Sequence, residues 1–391
     1  MAGEIPCPEW GNTPPKDDMV RTYRPGTGLI DPSPTPARRL YLEEEFSGDP
    51  RADRLGRGLR ASLISPVAPA DYPSFGPGDL LVTRHRGAFV KPCPATLNYN
   101  CCGLQIFHFG LGCTLGCRYC ILSAYLGTEA LVLFGNVAQG LEELKALLRL
   151  DPAERPKRFC TGEFTDSLLL DRRSGLAAEL IELFAQSDAA LLELKTKTDY
   201  IDHLLKLDHR GHTVISFSVN APDICRLEEG RAAPLTARLA AARRAAEAGY
   251  PIGLHFDPII QHPGWAEGYA RSAELIGRYL AGARVAWVSL GCFRYLPSLK
   301  EVMLARHPDT DIYDAEFISG GDGKMRYPRP VRTRLYRAVA AALESVLPPS
   351  TVVYMCMESS RVWLDVFGRD PGTEGLTARL DQRALELSSP L

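Results

Sequence analysis

The sequence has no long hydrophobic run, little net charge and no internal repeat. No stretch approaches about 18 uninterrupted apolar residues, which excludes an ordinary membrane-spanning helix and predicts no membrane partner. The net charge of −2 gives no overall attraction to nucleic acid, although it is compatible with a local basic groove. The segment 1–30 is polar and proline-rich and lacks the basic and then apolar pattern of a secretory signal. We therefore expect a cytoplasmic protein.

The 11 cysteines are irregularly spaced in a chain of 391 residues, which favours metal binding or catalysis over disulfides. Three of them, Cys113, Cys117 and Cys120, follow a C-x₃-C-x₂-C pattern. Three thiolates can hold three irons of a [4Fe–4S] cluster and leave the fourth iron open. S-adenosylmethionine (SAM) is the ligand that such an arrangement normally serves. A zinc loop or incidental buried thiols are the alternatives, but no matching C-x₂-C or H-x₃-H pair follows to complete a zinc site.

The residues around the three cysteines predict the first unit of a radical SAM barrel. A short apolar and aromatic segment, Leu104–Leu111, precedes them and predicts a buried strand. Gly112 and Gly116 lie in the cysteine loop and allow the backbone to come close to a cluster. The segment from Ile121 to Leu126 predicts the start of a helix. A strand, a ligand loop with glycines and a helix is the layout expected of that unit.

Strand and helix patterns alternate from about residue 100 to about residue 300. The predicted strands are Leu104–Leu111, Lys157–Cys160, Ala190–Lys195, Thr213–Val219, Pro251–Phe256 and Arg284–Leu290. The predicted helices between them are Leu141–Leu150, Gly175–Gln186, Tyr200–Leu207, Leu235–Ala248 and Ala266–Leu280. Repeated units of this kind imply a parallel sheet with helices on its outside. The predicted fold class is therefore α/β, with a partial (β/α)6 radical SAM barrel.

The barrel is predicted to span residues 91–300 and to lie between two other regions. Residues 1–90 are rich in Pro, Gly and Arg, which predicts an extended, partly ordered N-terminal region that wraps the core. Residues 301–391 predict a C-terminal α/β extension, whose elements are Leu299–Arg306, Arg332–Leu347, Val352–Cys356 and Ser360–Phe367. Within it, the glycine-rich and basic segment 320–330 predicts a hairpin or loop over the barrel mouth. The tail after Asp370 is predicted to be surface or disordered.

Thiol and polar side chains follow several predicted strands at their carboxyl ends, where β/α barrels gather their function. Cys160 closes the second strand, and Lys197 follows the third. Ser218 and Asn220 close the fourth, and Asp257 follows the fifth. Taken singly, each has a structural explanation, as a packed thiol or as a partner for local backbone groups. Together they favour a cofactor and substrate site at the barrel mouth.

These segments resemble the spore photoproduct lyase family of radical SAM enzymes. The similar stretches keep their order and spacing between about residue 90 and about residue 270. They are 112–126 with the three cysteines, 160–167, 196–197, 217–220, 248–253 and 262–269. The cysteine motif is shared by the whole radical SAM superfamily, whereas the later segments are much more selective.

The resemblance implies a role for each candidate residue. Cys113, Cys117 and Cys120 would hold one [4Fe–4S] cluster, and its open iron would bind SAM. The residues implied to bind the cofactor are Lys197, Ser218 and Asn220. Thr161, directly after Cys160, and Asp257, after the fifth strand, are further candidates for cofactor binding. Tyr119 matches a position that touches the cofactor and joins the radical path.

The resemblance also implies the reaction. SAM would be cleaved reductively to a 5′-deoxyadenosyl radical, with an electron from a flavodoxin- or ferredoxin-type donor. The radical would abstract hydrogen from a thymine photoproduct in DNA, and a carbon–carbon bond would break. Cys160 falls at the position of the cysteine that then donates hydrogen to the product radical. A thiol suits this role because its S–H bond is weak and its sulfur is polarizable.

The chain departs from the family pattern in two places. Many family lyases carry a tyrosine on each side of the third cluster cysteine, whereas here Tyr119 precedes Cys120 and Ile121 follows it. Isoleucine cannot pass on a hydrogen atom as a phenol can, so SAM is either consumed or regenerated through another residue such as Tyr125. The region after residue 300 also differs from the lyase end that helps to grip DNA.

These departures leave a second function open. The alternative is a radical SAM enzyme of the same family that acts on a peptide or small metabolite in a biosynthetic pathway. A non-catalytic nucleic-acid-binding protein with a structural cluster is disfavoured by the cofactor residues at the strand ends.

A second group of cysteines, Cys93, Cys101 and Cys102, lies just upstream of the cluster motif. An auxiliary iron–sulfur site needs three or four thiolates, and Cys292 or Cys356 could complete one. Buried structural thiols are the alternative interpretation, since adjacent cysteines rarely both ligate one metal comfortably.

Two carboxylates follow Cys160 closely. Glu163 and Asp166 could act as acid or base groups, cap the next helix, or bind ribose hydroxyls. We favour ribose binding.

Overall fold

The structure is a computed structural model that describes residues 39–96, 98–126, 128–151 and 153–388. Within these ranges, no helix is both long enough and apolar enough to cross a membrane. Predictions for residues 1–38 lie outside the described residues.

The strands of the described residues form two large sheets and one small sheet. In chain order they are β1 (Arg39–Glu43), β2 (Arg60–Ile64), β3 (Asp79–Thr83), β4 (Val90–Pro92), β5 (Gln105–Phe107), β6 (Gly110–Leu111), β7 (Leu131–Phe134), β8 (Arg158–Cys160), β9 (Leu191–Thr196), β10 (Thr213–Ser218), β11 (Ile252–Ile259), β12 (Val285–Cys292), β13 (Arg294–Tyr295), β14 (Ile318–Ser319), β15 (Met325–Arg326) and β16 (Val352–Met355).

The helices of the described residues mostly connect the strands of the main sheet. They are α1 (Pro50–Gly56), α2 (Leu122–Tyr125), α3 (Val137–Leu148), α4 (Asp171–Ser174), α5 (Leu176–Ala185), α6 (Pro222–Glu228), α7 (Leu235–Glu247), α8 (Trp265–Tyr279), α9 (Pro297–Arg306), α10 (Arg329–Glu344), α11 (Ser360–Phe367) and α12 (Gly372–Ser388).

The main sheet has the strand order β16–β12–β11–β10–β9–β8–β5–β4. Its neighbouring strands are parallel, except for the antiparallel pair β4–β5. From β5 to β12 the sheet order follows the chain order, and parallel strands need crossover connections, which place helices on one face. The sheet therefore curls into a half-barrel, the predicted fold class is confirmed, and five of the six predicted strands correspond to β8–β12.

The core of the half-barrel is built from strands that are buried on both faces. All eight residues of β12 are buried, and so are the first five of β10. Such nearly continuous burial is typical of parallel strands covered on both sides. The predicted helices 141–150, 175–186, 235–248 and 266–280 correspond to α3, α5, α7 and α8, with ends that differ by a few residues.

A second sheet corrects two predictions about the N-terminal part of the chain. It has the order β2–β1–β3–β7–β6, and β1, β2, β3 and β7 run parallel. Described residues before 90 thus contain regular strands and helix α1, not the extended region that we predicted. The predicted strand Leu104–Leu111 is also divided, because β5 joins the main sheet while β6 pairs with β7.

Two further predictions are corrected at helices. The segment Tyr200–Leu207 forms turns instead of a helix, with Ile201 and Leu204 fully buried. The tail after Asp370, predicted to be surface or disordered, forms α12, which packs on β12 and β16. By contrast, the predicted hairpin over residues 320–330 is present, since the glycine-rich turn connects the antiparallel strands β14 and β15.

Candidate active site at the barrel mouth

The loop that carries Cys113, Cys117 and Cys120, called the cluster loop below, leaves β6 and ends at α2. Gly112 and Gly116 have φ angles of 89° and 72°, in the left-handed region that favours glycine. A Cβ atom on Gly112 would also lie 2.8 Å from the carbonyl oxygen of Ala130. The two glycines therefore allow the tight path of the loop.

Segments distant in sequence hold this loop in place. The backbone N–H of Arg118 donates to the carbonyl of Glu228 at 2.8 Å, and the Tyr313 hydroxyl donates to the carbonyl of Arg118 at 2.7 Å. The N–H of Arg231 donates to the carbonyl of Leu115 at 2.7 Å. The end of α6 and the C-terminal extension thus fix the cluster loop from two sides.

The three thiols of the motif do not converge on a point where they could hold one metal ion. Within the described ranges, no three His, Cys, Asp or Glu side chains converge closely enough to hold one metal ion. A [4Fe–4S] cluster binds its thiolates on separate irons, so its ligands need not meet at one point. Burial raises the pKa of Cys117 to about 12, although the nearby Lys197 ammonium lowers it. Metal binding would have to displace the thiol protons.

A buried network connects Tyr119, in this loop, to the end of β10. The Tyr119 hydroxyl donates to the Glu229 carboxylate, which also forms an ion pair with Arg238. Glu229 and Arg238 are almost completely buried. The Arg238 guanidinium also donates to the carbonyl of Ser218 at 2.9 Å. Arg238 and Glu229 therefore set the position of the cluster loop relative to the strand that carries Ser218.

Lys197 is held at the end of β9 by Asp166. One Asp166 oxygen accepts the backbone N–H of Lys197 at 2.8 Å, and the other accepts the Thr196 hydroxyl at 2.8 Å. Asp166 also accepts the N–H groups of Leu168 and Leu169 at 3.0 Å. Its carboxylate is thus occupied by local backbone groups, and ribose binding by this residue is not supported.

The Lys197 ammonium lies 5.7 Å from the centre of the Tyr119 ring. Burial lowers the pKa of Lys197, but Cys117 and Glu229 raise it more, so the net shift is upward. Lys197 therefore provides a positive charge next to the cluster loop.

The side chains of Ser218 and Asn220 differ in the hydrogen bonds that they make. The Asn220 amide donates to the carbonyl of Pro258 at 2.9 Å, and its oxygen accepts the Tyr269 hydroxyl at 2.7 Å. Asn220 therefore ties β10 to β11 and α8. The Ser218 side chain, in contrast, makes no hydrogen bond within the part of the chain that the structure describes, so its hydroxyl remains open to a ligand.

Cys160 closes β8 and is fully buried. Its sulfur accepts the N–H of Gly162 at 3.3 Å. Burial raises the pKa of Cys160 to about 12, while the Lys195 ammonium lowers it. The side chain is thus a neutral thiol at ordinary pH. The N–H of Gly112 donates to the carbonyl of Phe164 at 2.9 Å, which joins the loop after Cys160 to the cluster loop.

Thr161 and Asp257 occupy other parts of the mouth. Thr161 is buried, and its hydroxyl donates to Ser167 at 2.7 Å. Asp257 lies in β11 with its carboxylate over Gly291, where any Cβ atom would clash with it. Arg294 is near Asp257, and this carboxylate raises the pKa of Arg294 against the effect of burial. Asp257 therefore has a cationic neighbour of its own.

The second group of cysteines lies together but does not form a metal site for one ion. The thiols of Cys93 and Cys102 both lie near that of Cys101. Cys102 also lies near Cys356. Because no three candidate ligands converge on a single ion among the described residues, the auxiliary site stays a prediction.

The family model for spore photoproduct lyase matches residues 105–356, well over half of the chain. This chain belongs to the spore photoproduct lyase family. The spore photoproduct lyase of Bacillus subtilis is 29% identical over 255 residues, which cover 63% of this chain and 74% of that protein. The spore photoproduct lyase of a Geobacillus species is 30% identical over 247 residues, with 60% and 72% covered.

Solved structures of spore photoproduct lyase share the fold. A double mutant with bound AdoMet and dinucleoside spore photoproduct has a TM-score of 0.71 at 23% identity, covering 83% of this chain and 100% of that chain. A complex with dinucleoside spore photoproduct has a TM-score of 0.69 at 23% identity, covering 82% and 99%. These likenesses confirm the half-barrel architecture of the family member described here.

Sequence reasoning missed a polar network inside the barrel of this family member. The Glu193 carboxylate accepts hydrogen bonds from Ser216, from His255 Nε2 at 2.8 Å and from Trp287 Nε1 at 2.8 Å. All four side chains are buried and come from four successive strands, β9 to β12. Glu193 stands two residues before Lys195 in a predicted strand, and a charge within such a strand was the available signal. Arg238 and Glu229 had no comparable signal.

Proposed function

We propose that this member of the family is a radical SAM carbon–carbon lyase that repairs a thymine photoproduct in DNA. The observation that carries the proposal is Cys160, a fully buried neutral thiol at the end of β8 whose following loop touches the cluster loop. Family membership supports the reaction class, because the matched segment includes Cys160 and all three cysteines of the motif.

The residues present fit the two groups that the family implies. When bound, the cluster and SAM supply a 5′-deoxyadenosyl radical, after one electron from a flavodoxin- or ferredoxin-type donor. Cys113, Cys117 and Cys120 would hold the cluster as thiolates. Lys197 would offset part of their negative charge, and the open hydroxyl of Ser218 would bind SAM.

The other candidate residues act mainly by positioning. Asn220 fixes the end of β10 through Pro258 and Tyr269. Thr161 fixes the turn after Cys160 through Ser167. Tyr119 keeps the cluster loop against Glu229. Asp257, near Arg294, lies on the side of β11 and β12, and only its place toward the carboxyl end of its strand assigns it to the cofactor side of the mouth.

Cys160 would complete the reaction by giving its hydrogen to the carbon radical left after bond scission. In that step the S–H bond breaks, a C–H bond forms and the unpaired electron moves to sulfur. No proton is released, so the thiol must be protonated beforehand. The raised pKa of Cys160 ensures this at neutral pH.

The decisive experiment is incubation of the reconstituted enzyme with a thymine photoproduct dinucleotide, SAM and a strong reductant without oxygen. We expect restored thymines together with 5′-deoxyadenosine. Release of 5′-deoxyadenosine without repair would instead favour a peptide or small-metabolite substrate. Failure to cleave SAM at all, in a protein with full iron content, would contradict the radical SAM assignment.

A variant of Cys160 tests the proposed hydrogen donor. C160A should still consume the photoproduct but should divert the product radical into side products, because the thiol hydrogen is missing. Chromatography of the products would measure the diverted fraction. S345A, which removes an exposed hydroxyl just after α10, should give the wild-type products. The same product distribution in C160A and the wild type would remove Cys160 from the mechanism.

A further inference from the structure

A lysine and a glutamate that the proposed mechanism does not use stand next to Cys160. Lys195 Nζ lies 3.4 Å from Glu163 Oε2, and their side chains are 18% and 33% exposed. Lys195 is the penultimate residue of β9, and Glu163 lies in the loop that follows Cys160. Both side chains of this ion pair are thus partly exposed at the barrel mouth.

The position of the pair is tightly set by its backbone. The N–H of Lys195 donates to the Ser167 hydroxyl at 2.9 Å, and the N–H of Ser167 donates to the carbonyl of Lys195 at 3.0 Å. A Cβ atom on Gly162 would lie 2.7 Å from Cβ of Lys195. The loop after Cys160 therefore packs directly against Lys195, which fixes both charges relative to the thiol.

The side chain of Lys195 points into the barrel. In a strand, residues two apart share a face, so Lys195 lies on the face of Glu193, whose carboxylate binds Ser216 and His255 inside the barrel. Burial lowers the pKa of Lys195, but Cys160 and Glu163 raise it more. The ammonium stays charged and acts as a donor toward the space next to Cys160.

The chemistry of this pair matches one type of ligand edge. An ammonium only donates hydrogen bonds and a carboxylate only accepts them, so the pair presents a donor and an acceptor side by side. An imide presents the complement, a carbonyl oxygen beside an N–H. Both side chains are partly exposed, so each can turn toward a ligand at the barrel mouth. Enzymes that act on an unstacked base commonly bind its hydrogen-bonding edge in this way.

We propose that Lys195 and Glu163 bind the imide edge of the thymine base that receives hydrogen from Cys160. Lys195 donates to a ring carbonyl, and Glu163 accepts the hydrogen of ring nitrogen N3. The inference rests on the proposed function, and it adds a binding pair that selects an imide ring and holds it at the thiol.

Binding without turnover tests the inference. The wild-type enzyme with cluster and SAM, but without reductant, is titrated with the photoproduct dinucleotide and with its N3-methylated analogue. Methylation removes the hydrogen that Glu163 accepts, and we expect affinity to fall about tenfold or more. Equal affinities for the two dinucleotides would overturn the proposal, and this comparison needs no variant that could misfold.

Variants then assign the effect to the pair. E163A should weaken binding of the parent dinucleotide and abolish most of the preference over the methylated analogue. K195M, which keeps the apolar stem, should weaken binding of both. E142A and K145M alter an exposed pair on α3, joined at 2.7 Å, and should leave both affinities unchanged. Iron content and thermal unfolding show that each variant is folded.

The outcomes separate this inference from the proposed function. If the wild type neither binds the photoproduct nor restores thymines, the proposed function fails. If the wild type repairs the photoproduct while E163A keeps the wild-type preference for the unmethylated base, the inference alone fails.

Discussion

Hydrogen donation from Cys160 depends on a balance between burial and neighbouring charge. Burial favours the neutral thiol, and the Lys195 ammonium alone would favour the thiolate. Glu163 and Glu193 oppose the effect of Lys195, so the pKa of Cys160 stays at about 12. The acidic residues near Cys160 therefore help to keep the hydrogen that the proposed reaction transfers.

Ile121 bears on the fate of SAM. It has no O–H group to return hydrogen after Cys160 has been oxidised, so we expect the wild type to release 5′-deoxyadenosine and repaired product in equal amounts. I121Y should lower the ratio of 5′-deoxyadenosine to product, because a phenol then stands on each side of Cys120. Chromatographic quantification of both compounds gives the ratio.

Tyr125 is the residue that could upset this expectation. It is half-buried one turn after Ile121, near Glu163 and Arg294. If Tyr125 already returns hydrogen, the wild-type ratio will be well below one and Y125F will raise it. A low ratio that persists in Y125F would contradict the limiting role given to Ile121 and would exclude Tyr125 as well.

At the scale of elements, α12 shows how a C-terminal segment supports the barrel. Its buried residues Leu376, Leu380, Ala384 and Leu387 form one face. Asp381 pairs with the buried Arg158 at 2.7 Å, and Arg284 donates to the carbonyl of Leu387 at 2.6 Å. Arg158 lies in β8 two residues before Cys160, so α12 stabilises the strand that carries the proposed donor.

Truncation of a side chain on α12 tests its contribution. L380A removes a fully buried leucine and should lower the free energy of unfolding by about 2–5 kcal/mol, from lost burial and the cavity left behind. The exposed R379A on the same helix should change stability by less than about 0.5 kcal/mol. Denaturant titration measures both. An L380A protein as stable as R379A would show that α12 is not firmly packed.

The apolar spacing of α12 was present in the sequence, since its buried residues recur three or four positions apart. The opposite error occurred at Tyr200–Leu207, where Ile201, Leu204 and Leu207 have helical spacing but form successive turns. In these turns each backbone hydrogen bond joins residues three positions apart, from Leu204 to Ile201 and from Leu207 to Leu204. Spacing marks the buried side and does not by itself distinguish a helix from a series of turns.

The barrel strands were predictable because each is a short apolar run between polar segments. The second sheet was not, because β1, β2, β3 and β7 pair in parallel across long sequence separations, and β2 is largely exposed. Cys160 and Ser218 lie at the ends of β8 and β10, where the strand pattern placed them. That pattern could not show that the side chain of Asn220 is occupied by Pro258 and Tyr269, since those contacts depend on tertiary packing.

At the scale of the whole molecule, one buried carboxylate joins four strands of the half-barrel. Glu193 in β9 accepts hydrogen bonds from Ser216 in β10, His255 in β11 and Trp287 in β12. Burial alone would raise the pKa of Glu193, but the charge and hydrogen bond of His255 and the nearby Lys195 lower it to about 2. The folded protein therefore strongly favours the ionised form.

This shift predicts how the stability of the fold depends on pH. Because the pKa of Glu193 is lower in the folded state, its contribution is complete above about pH 4.5 and is lost as the pH falls toward about 2. E193Q should be less stable than the wild type at pH 7, by up to about 3 kcal/mol on the size of this shift. The difference should shrink steadily below about pH 4.5, since the wild-type carboxylate then becomes neutral as well. Denaturant midpoints for the two proteins across this range would show it, and E182Q, which alters an exposed carboxylate on α5, should show no such trend. A stability difference between E193Q and the wild type that stays constant down to the acid transition would mean that the Glu193 charge does not stabilise the barrel, and that its hydrogen bonds alone join the four strands.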